Sequence, residues 1–196
     1  IISNNTQHVL AATRAGVYKT SDGGTTWSLK QSGPFNIIVA SEAQPEVLYA
    51  GTSGSQGRVW RSKNSGDTWT LLTSVLPTSG VNRVELATSP QDSNYVYAVY
   101  SQSGTSNFGG LYHSTDGGDT WVLKSSSPNL LGSNITGSSS TGQGWYDLAI
   151  IVSPTNKNQV FVGGVNIFRI NNQGAGWIAV ASGYGQGGLG YVHPDI

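Results

Sequence analysis

Thr20-Ser21-Asp22-Gly23-Gly24-Thr25-Thr26-Trp27 is a tight turn spelled in residues, and the chain spells it more than once. Ser62-Lys63-Asn64-Ser65-Gly66-Asp67-Thr68-Trp69 and Ser114-Thr115-Asp116-Gly117-Gly118-Asp119-Thr120-Trp121 repeat it closely. Ile170-Asn171-Asn172-Gln173-Gly174-Ala175-Gly176-Trp177 has decayed but keeps Asn172, Gly174 and Trp177. The tryptophans stand 42, 52 and 56 residues apart, the spacing of repeated supersecondary units. The chemistry of the turn is local. An Asp or Asn in third place accepts backbone N–H groups across the turn. Gly24, Gly66 and Gly118, two places later, supply the positive φ that other side chains resist. Thr then opens a strand, and Trp27, Trp69, Trp121 and Trp177 are expected to bury their rings against a neighbouring sheet.

What surrounds each turn also repeats. Two apolar strands precede it: 37–41 and 47–51, then 83–87 and 95–99, then 147–152 and 160–163. Pro and Asn turns join them, and a third strand such as Gly16-Val17-Tyr18-Lys19 or Gly110-Leu111-Tyr112-His113 leads into the hairpin. Each unit is therefore four antiparallel strands, A to D, which is one blade of a β-propeller. The spacing predicts blades at about 8–30, 36–73, 82–124 and 146–181, with the start of another at 191–196. The chain opens in an A–B turn, so its first blade lacks an inner strand. It contains no methionine, position 1 included, and is expected to be a section of a longer chain that supplies the rest of the ring.

The Ser-x-Asp-x-Gly-x-Thr-Trp pattern resembles the Asp-box, or bacterial neuraminidase repeat, of sialidases, xyloglucanases and sortilin-like receptors. The resemblance implies an all-β propeller of six to eight blades in which the box closes the C–D turn. The segment 144–150 and the tail 191–195 are similar to stretches of large secreted bacterial surface proteins, which implies an extracellular or cell-surface location.

Composition narrows the function. The 196 residues carry ten basic and ten acidic side chains, and zero net charge speaks against nucleic acid, which needs a basic face. No run of eighteen apolar residues is present, so no membrane span is expected. Cysteine is absent, which excludes thiol nucleophiles, disulfides and thiolate metal sites. The spelling Gly-x-Gly-x-x-Gly within 183–190 follows no βαβ unit, so a nucleotide reading fails on context.

Topology then places the candidate site. The A strands line the central channel, and D–A and B–C connections gather at one mouth. The box residues Asp22, Asn64, Asp116 and Asn172 fall on the opposite face and read as structural; Asp67 and Asp119, in the same turns, read as solvated. The D–A connections are expected at 28–36, 74–82, 125–145 and 182–193, and the third is far longer than a hairpin needs. It delivers Trp145, Tyr146 and Asp147 to the mouth, and His193 and Asp195 arrive one blade later. Asp147, His193 and Asp195 form a candidate acid–base or hard-cation site for an ion such as calcium; no other cofactor is expected. Arg83 and Arg58 are the best-placed arginines for an acidic ligand. Glu85 and Asp147 are the only pair of carboxyls from adjacent blades that a glycosidase could use. Trp145, Tyr146, Phe108 and Tyr184 are candidate platforms for sugar rings.

Two functions stand open on these residues. The first is a secreted binding or structural module whose mouth face takes a glycan or a protein ligand. The alternative is part of a sialidase- or xyloglucanase-like glycoside hydrolase, with catalytic groups partly outside these residues.

Overall fold

The computed structural model describes residues 6–170 and 176–193. They form four antiparallel sheets, each taken in chain order. Blade 1 is β1 (Val9–Ala12), β2 (Gly16–Thr20) and β3 (Ser28–Ser32). Blade 2 is β4 (Phe35–Ala40), β5 (Leu48–Thr52), β6 (Val59–Ser62) and β7 (Thr70–Leu72). Blade 3 is β8 (Val81–Thr88), β9 (Val96–Gln102), β10 (Phe108–Ser114) and β11 (Val122–Ser125). Blade 4 is β12 (Ala149–Ser153), β13 (Asn156–Gly163), β14 (Asn166–Ile170) and β15 (Trp177–Ser182). The first strand of each complete blade meets its counterpart in the next, β4 against β8 and β8 against β12, so these strands line the axis. The chain is a section of a β-propeller. Residues 28–32, expected within a connection, are a strand instead, which leaves only Gly33 and Pro34 between blades 1 and 2. No described helix is long and apolar enough to cross a membrane.

The box turns form as their residues dictate. In the third, Ser114 Oγ donates to Asp116 Oδ1 (2.8 Å) and accepts from the Gly118 amide (2.7 Å). Asp116 accepts the Thr120 amide (2.8 Å) and the Thr120 hydroxyl (2.6 Å), and Trp121 Nε1 caps the Gly118 carbonyl (3.1 Å). The first turn repeats this network with Thr20, Asp22, Thr26 and Trp27. In the second, Asn64 replaces the carboxylate, and its amide donates to the Thr68 hydroxyl at 2.9 Å, which reverses that one bond. Gly24, Gly66 and Gly118 sit at φ 99°, 84° and 91°, as the turn requires. Hydrogen bonds from Thr26 hold the Asp22 carboxyl down at about 2. At Asp116 burial pushes the other way, but Thr120 and Ser114 outweigh it and give about 2 as well. The fourth box, with Asn172 and Gly174, lies outside the described residues apart from Ile170, Gly176 and Trp177.

The second and third turns seat on the blade before them, as does the tryptophan that follows the fourth. Trp69 packs among Leu10 and Val17 of blade 1, Trp121 among Tyr49 and Leu72 of blade 2, and Trp177 edge-on to Phe108 of blade 3. Trp121 is buried as expected, while Trp69 and Trp177 are half-buried against the blades before them. Trp27 has no preceding blade among the described residues and is 44% exposed. Asp67 and Asp119 are solvent-exposed, as expected, and each also reaches a cation of the preceding blade. Asp67 takes Lys19 at 3.0 Å and Lys30 at 3.2 Å across to blade 1, and Asp119 takes Arg61 at 2.7 Å across to blade 2. Lys19 is buried, so its ammonium would be costly without that carboxylate. At the third seat His113 stands where Lys19 and Arg61 stand in the others. It stacks on Tyr97 with ring centroids 4.5 Å apart.

Two measurements test these interfaces. Asp116→Ala is expected to lower unfolding free energy by about 1 kcal/mol in urea titrations, and Asp116→Asn to stay close to wild type, as Asn64 does naturally. Burial, helped by the Lys124 ammonium, lowers the folded His113 pKa to about 4 from its ordinary 6.5. The unfolded chain thus takes up this proton first, and stability falls as pH drops from 6.5 to 4. Subtracting the urea stability curve of His113→Phe from that of wild type should isolate a loss confined to that window.

Candidate functional site

The site is built from the long connection between β11 and β12, and its residues explain why it holds one shape. Leu130 and Leu131 are fully buried and anchor it to the interface of blades 3 and 4. Asn129 Oδ1 accepts the Phe108 amide (2.9 Å), while its Nδ2 donates to Asn107 Oδ1 (2.9 Å) and Ser139 O (3.0 Å). The amides of Gly142 and Gly144 bond Thr105 O and Ser106 O at 3.0 Å, lashing the connection to the loop between β9 and β10. A Cβ at Gly144 would collide with the Ser101 and Leu131 side chains, so only glycine passes here. The amides of Tyr146 and Asp147 then turn back onto Gln143 O at 2.8 and 2.9 Å.

That turn throws two rings outward. Trp145 is 64% exposed and Tyr146 54%, with centroids 5.4 Å apart and planes tilted by 48°. Beneath them Arg83, on β8, donates through Nη1 to Tyr146 O at 2.6 Å and through Nε to Glu85 Oε1 at 2.8 Å. Asn36 of β4 donates to the same Glu85 oxygen at 2.8 Å and to Val84 O at 3.1 Å. A hydrogen-bonded chain therefore runs across three blades, from Asn36 through Glu85 and Arg83 to the platform. Burial raises the Glu85 pKa, against the pull of Arg83 and Asn36.

The sequence candidates divide on this geometry. Arg83, Glu85, Trp145 and Tyr146 come together. Asp147 follows Tyr146 in the chain but is 1% exposed, and Glu85 is 6% exposed, so both carboxylates lie inside rather than at the surface. Phe108 is buried against Trp177 and offers no platform, because its strand faces blade 4. Tyr184 is exposed beside the 3₁₀ turn Gln186–Gly188, which joins the long connection through Gln186 Oε1 and the Ile135 amide (3.1 Å). His193 is exposed, and Asp195 lies outside the described residues. Among the described residues no three His, Asp or Glu side chains gather as a metal site. Arg58 lines a second opening, a cleft of about 280 Å³ with Gln56, Trp60 and Gly33–Pro34. Asn36, Asn129 and Trp60 were missed in the sequence. Only Asn129 carried a signal there, as an Asn after Pro in an over-long connection.

Blade topology, Asp-box turns and an aromatic mouth define the class: an Asp-box β-propeller. The model of the Sortilin-Vps10 family (Sortilin, neurotensin receptor 3) matches residues 9–131, and the chain belongs to that family. It is 28% identical over 156 residues to the xyloglucanase Xgh74A of Acetivibrio thermocellus, covering 74% of this chain and 17% of the enzyme. In structure it is similar to an ancestral GH74 enzyme, with a TM-score of 0.68 at 17% identity over 92% of this chain and 23% of that one. It is similar also to the GH74 xyloglucanase of Xanthomonas campestris, with a TM-score of 0.65 at 18% identity over 93% of this chain and 30% of that one. The chain thus spans less than a third of each relative.

The Arg83 bridge makes a direct prediction. Arg83→Ala should free the Tyr146 carbonyl and speed hydrogen exchange of amides 144–148 by about tenfold, while exchange in β13 and β14 stays unchanged. Equal rates at 144–148 in both proteins would show that Gln143 and Asn129 hold the turn without Arg83.

Proposed function

We propose that the channel-mouth face binds a neutral polysaccharide of the xyloglucan kind, and that the whole protein acts on or captures that polymer outside the cell. The observation that carries this is the Trp145–Tyr146 pair. Two large rings stand mostly exposed on a backbone fixed by hydrogen bonds from Gly142, Gly144, Tyr146 and Asp147. Exposed aromatic faces offer apolar area to the C–H groups of a sugar, and holding them rigid lowers the entropy lost on binding. A chain of zero net charge suits an uncharged polymer. The xyloglucanase relative supports the ligand class.

The part assigned to this face is binding. A glycosidase needs two carboxyl groups facing the scissile bond. Glu85 is turned into the Arg83–Asn36 network, where it braces the platform, and Asp147 is enclosed. Any hydrolysis by the whole protein falls to other carboxyls. Polymers of this size are met outside the cell, which is where the protein is assigned.

Affinity electrophoresis in xyloglucan gels and calorimetry with xyloglucan oligosaccharides test this. Trp145→Ala is expected to weaken binding about tenfold, the loss of roughly one stacking contact, with unchanged circular dichroism. A wild-type chain that ignores xyloglucan, or a Trp145→Ala chain that binds it equally well, would overturn the proposal.

A further inference from the structure

Of the two arginines placed at the mouth for an acidic ligand, one is already engaged. Arg83 gives its Nε to Glu85 and its Nη1 to the Tyr146 carbonyl. Lys19, Lys30, Arg61 and Lys157 are likewise held by carboxylates. Arg58 is exposed, and its guanidinium has no ion pair or hydrogen bond among the described residues. Its backbone is fixed all the same. The Arg58 amide donates to Thr52 Oγ1 at 2.7 Å, and the Thr52 amide donates to the Arg58 carbonyl at 3.0 Å.

The free guanidinium lines the cleft of about 280 Å³ between blades 1 and 2. One wall is the connection 32–34, and the other is the turn between β5 and β6, which supplies Ser53, Ser55 and Gln56. The Ser53 amide ties the walls together, donating to Pro34 O at 2.8 Å, and the Gly54 amide ties them to blade 3, donating to Asn82 O at 2.8 Å. Neither wall lies at an end of the described residues. Arg58 and Trp60 flank Val59, so strand alternation sets them on one side of β6 while Val59 is buried on the other. Trp60 is half-buried and edge-on to Phe35, with centroids 6.4 Å apart and planes at 61°. Among the described residues no Asp or Glu lines the cleft, so its charge is that of Arg58.

These groups suit one kind of ligand. The ring of a hexuronic acid carries a carboxylate for the guanidinium fork, hydroxyls for the Ser and Gln side chains, and a C–H face for the indole. The volume is at the small end of ligand sites and suits a single ring. A phosphate or sulfate would leave Trp60 unused, and a neutral sugar would leave Arg58 unused. We infer that the Arg58–Trp60 cleft is a binding site for one hexuronate unit of an acidic polysaccharide. This site is separate from the Trp145–Tyr146 platform and does not depend on a neutral polymer being bound there.

Methyl β-glucuronide and methyl β-glucoside differ only in a carboxylate against a hydroxymethyl group, which makes them matched probes. In proton–nitrogen correlation NMR followed at the Trp60 indole N–H, the glucuronide should bind about fivefold more tightly than the glucoside, the size of a partly solvated ion pair. Arg58→Gln should erase that preference and leave glucoside binding as it was. Arg58→Lys should keep part of it, because an ammonium group supplies charge without the fork. Raising the salt concentration should narrow the preference in the wild-type chain. Equal affinities for the two sugars in the wild-type chain, or a preference that survives Arg58→Gln, would overturn the inference. So would an acetylated and amidated Gly-Asp-Gly peptide that binds at Trp60 as tightly as the glucuronide, since the cleft would then read charge and not sugar. Trp145→Ala should leave the glucuronide affinity unchanged, which keeps the result apart from xyloglucan binding; its loss in that variant would place the glucuronide at the platform and overturn the assignment to the cleft.

Discussion

Everything in this molecule hangs on one short turn and its seat. Two side chains, a hydroxyl and a carboxylate or amide, satisfy the backbone of the box from within, so the turn is rigid before it touches anything. Its tryptophan and the residue after its second glycine then project onto the preceding blade. Because Trp121 and Asp119 leave the same rigid turn, apolar burial and the Arg61 ion pair are made or lost together. A buried lysine or arginine would normally be a liability. Here Lys19 and Arg61 become a register device: an ion pair that closes only when the neighbouring blade is at the correct height.

That stacking sets the stage for the mouth. The inner strands β4, β8 and β12 lie side by side, and the Asn36–Glu85–Arg83–Tyr146 chain spans them. The platform is thus held at two levels. Local bonds within 126–147 shape the turn, and a cross-blade network fixes where the turn stands. A platform of this kind can be exposed without being loose, which is what a binding face for an extended polymer needs.

The two faces of the propeller have been given different work. The box face is spent on structure: its carboxylates cap amides and meet cations, and little is left over for chemistry. The mouth face is poor in charge and rich in hydroxyl, amide and aromatic groups, with the Arg58–Trp60 cleft at blades 1 and 2 and the Trp145–Tyr146 pair at blades 3 and 4. This segregation fits a fold in which repeated segments build the scaffold and the irregular ones carry function.

The blades, the order of their strands and the box turns were legible from residue types, because the forces that form them act within eight residues. Asp116, Gly118 and Thr120 meet one another whatever else the chain does. The over-long connection was legible too, along with the arrival of Trp145 and Tyr146 at the mouth, since period and loop length determine both. Side-chain partners between blades were not. Asp67 and Asp119 are surface acids whose partners Lys19 and Arg61 come from neighbouring blades, and Trp27 reads as core but has no preceding blade among the described residues. Phe108 and Glu85 likewise took their roles from contacts 69 and 49 residues away along the chain, with Trp177 and Asn36. Sequence alone determined what each segment does with itself. Only the tertiary structure decided what each side chain does with a neighbour, because burial and charge pairing are set by distances in space that the spacing of residues does not contain.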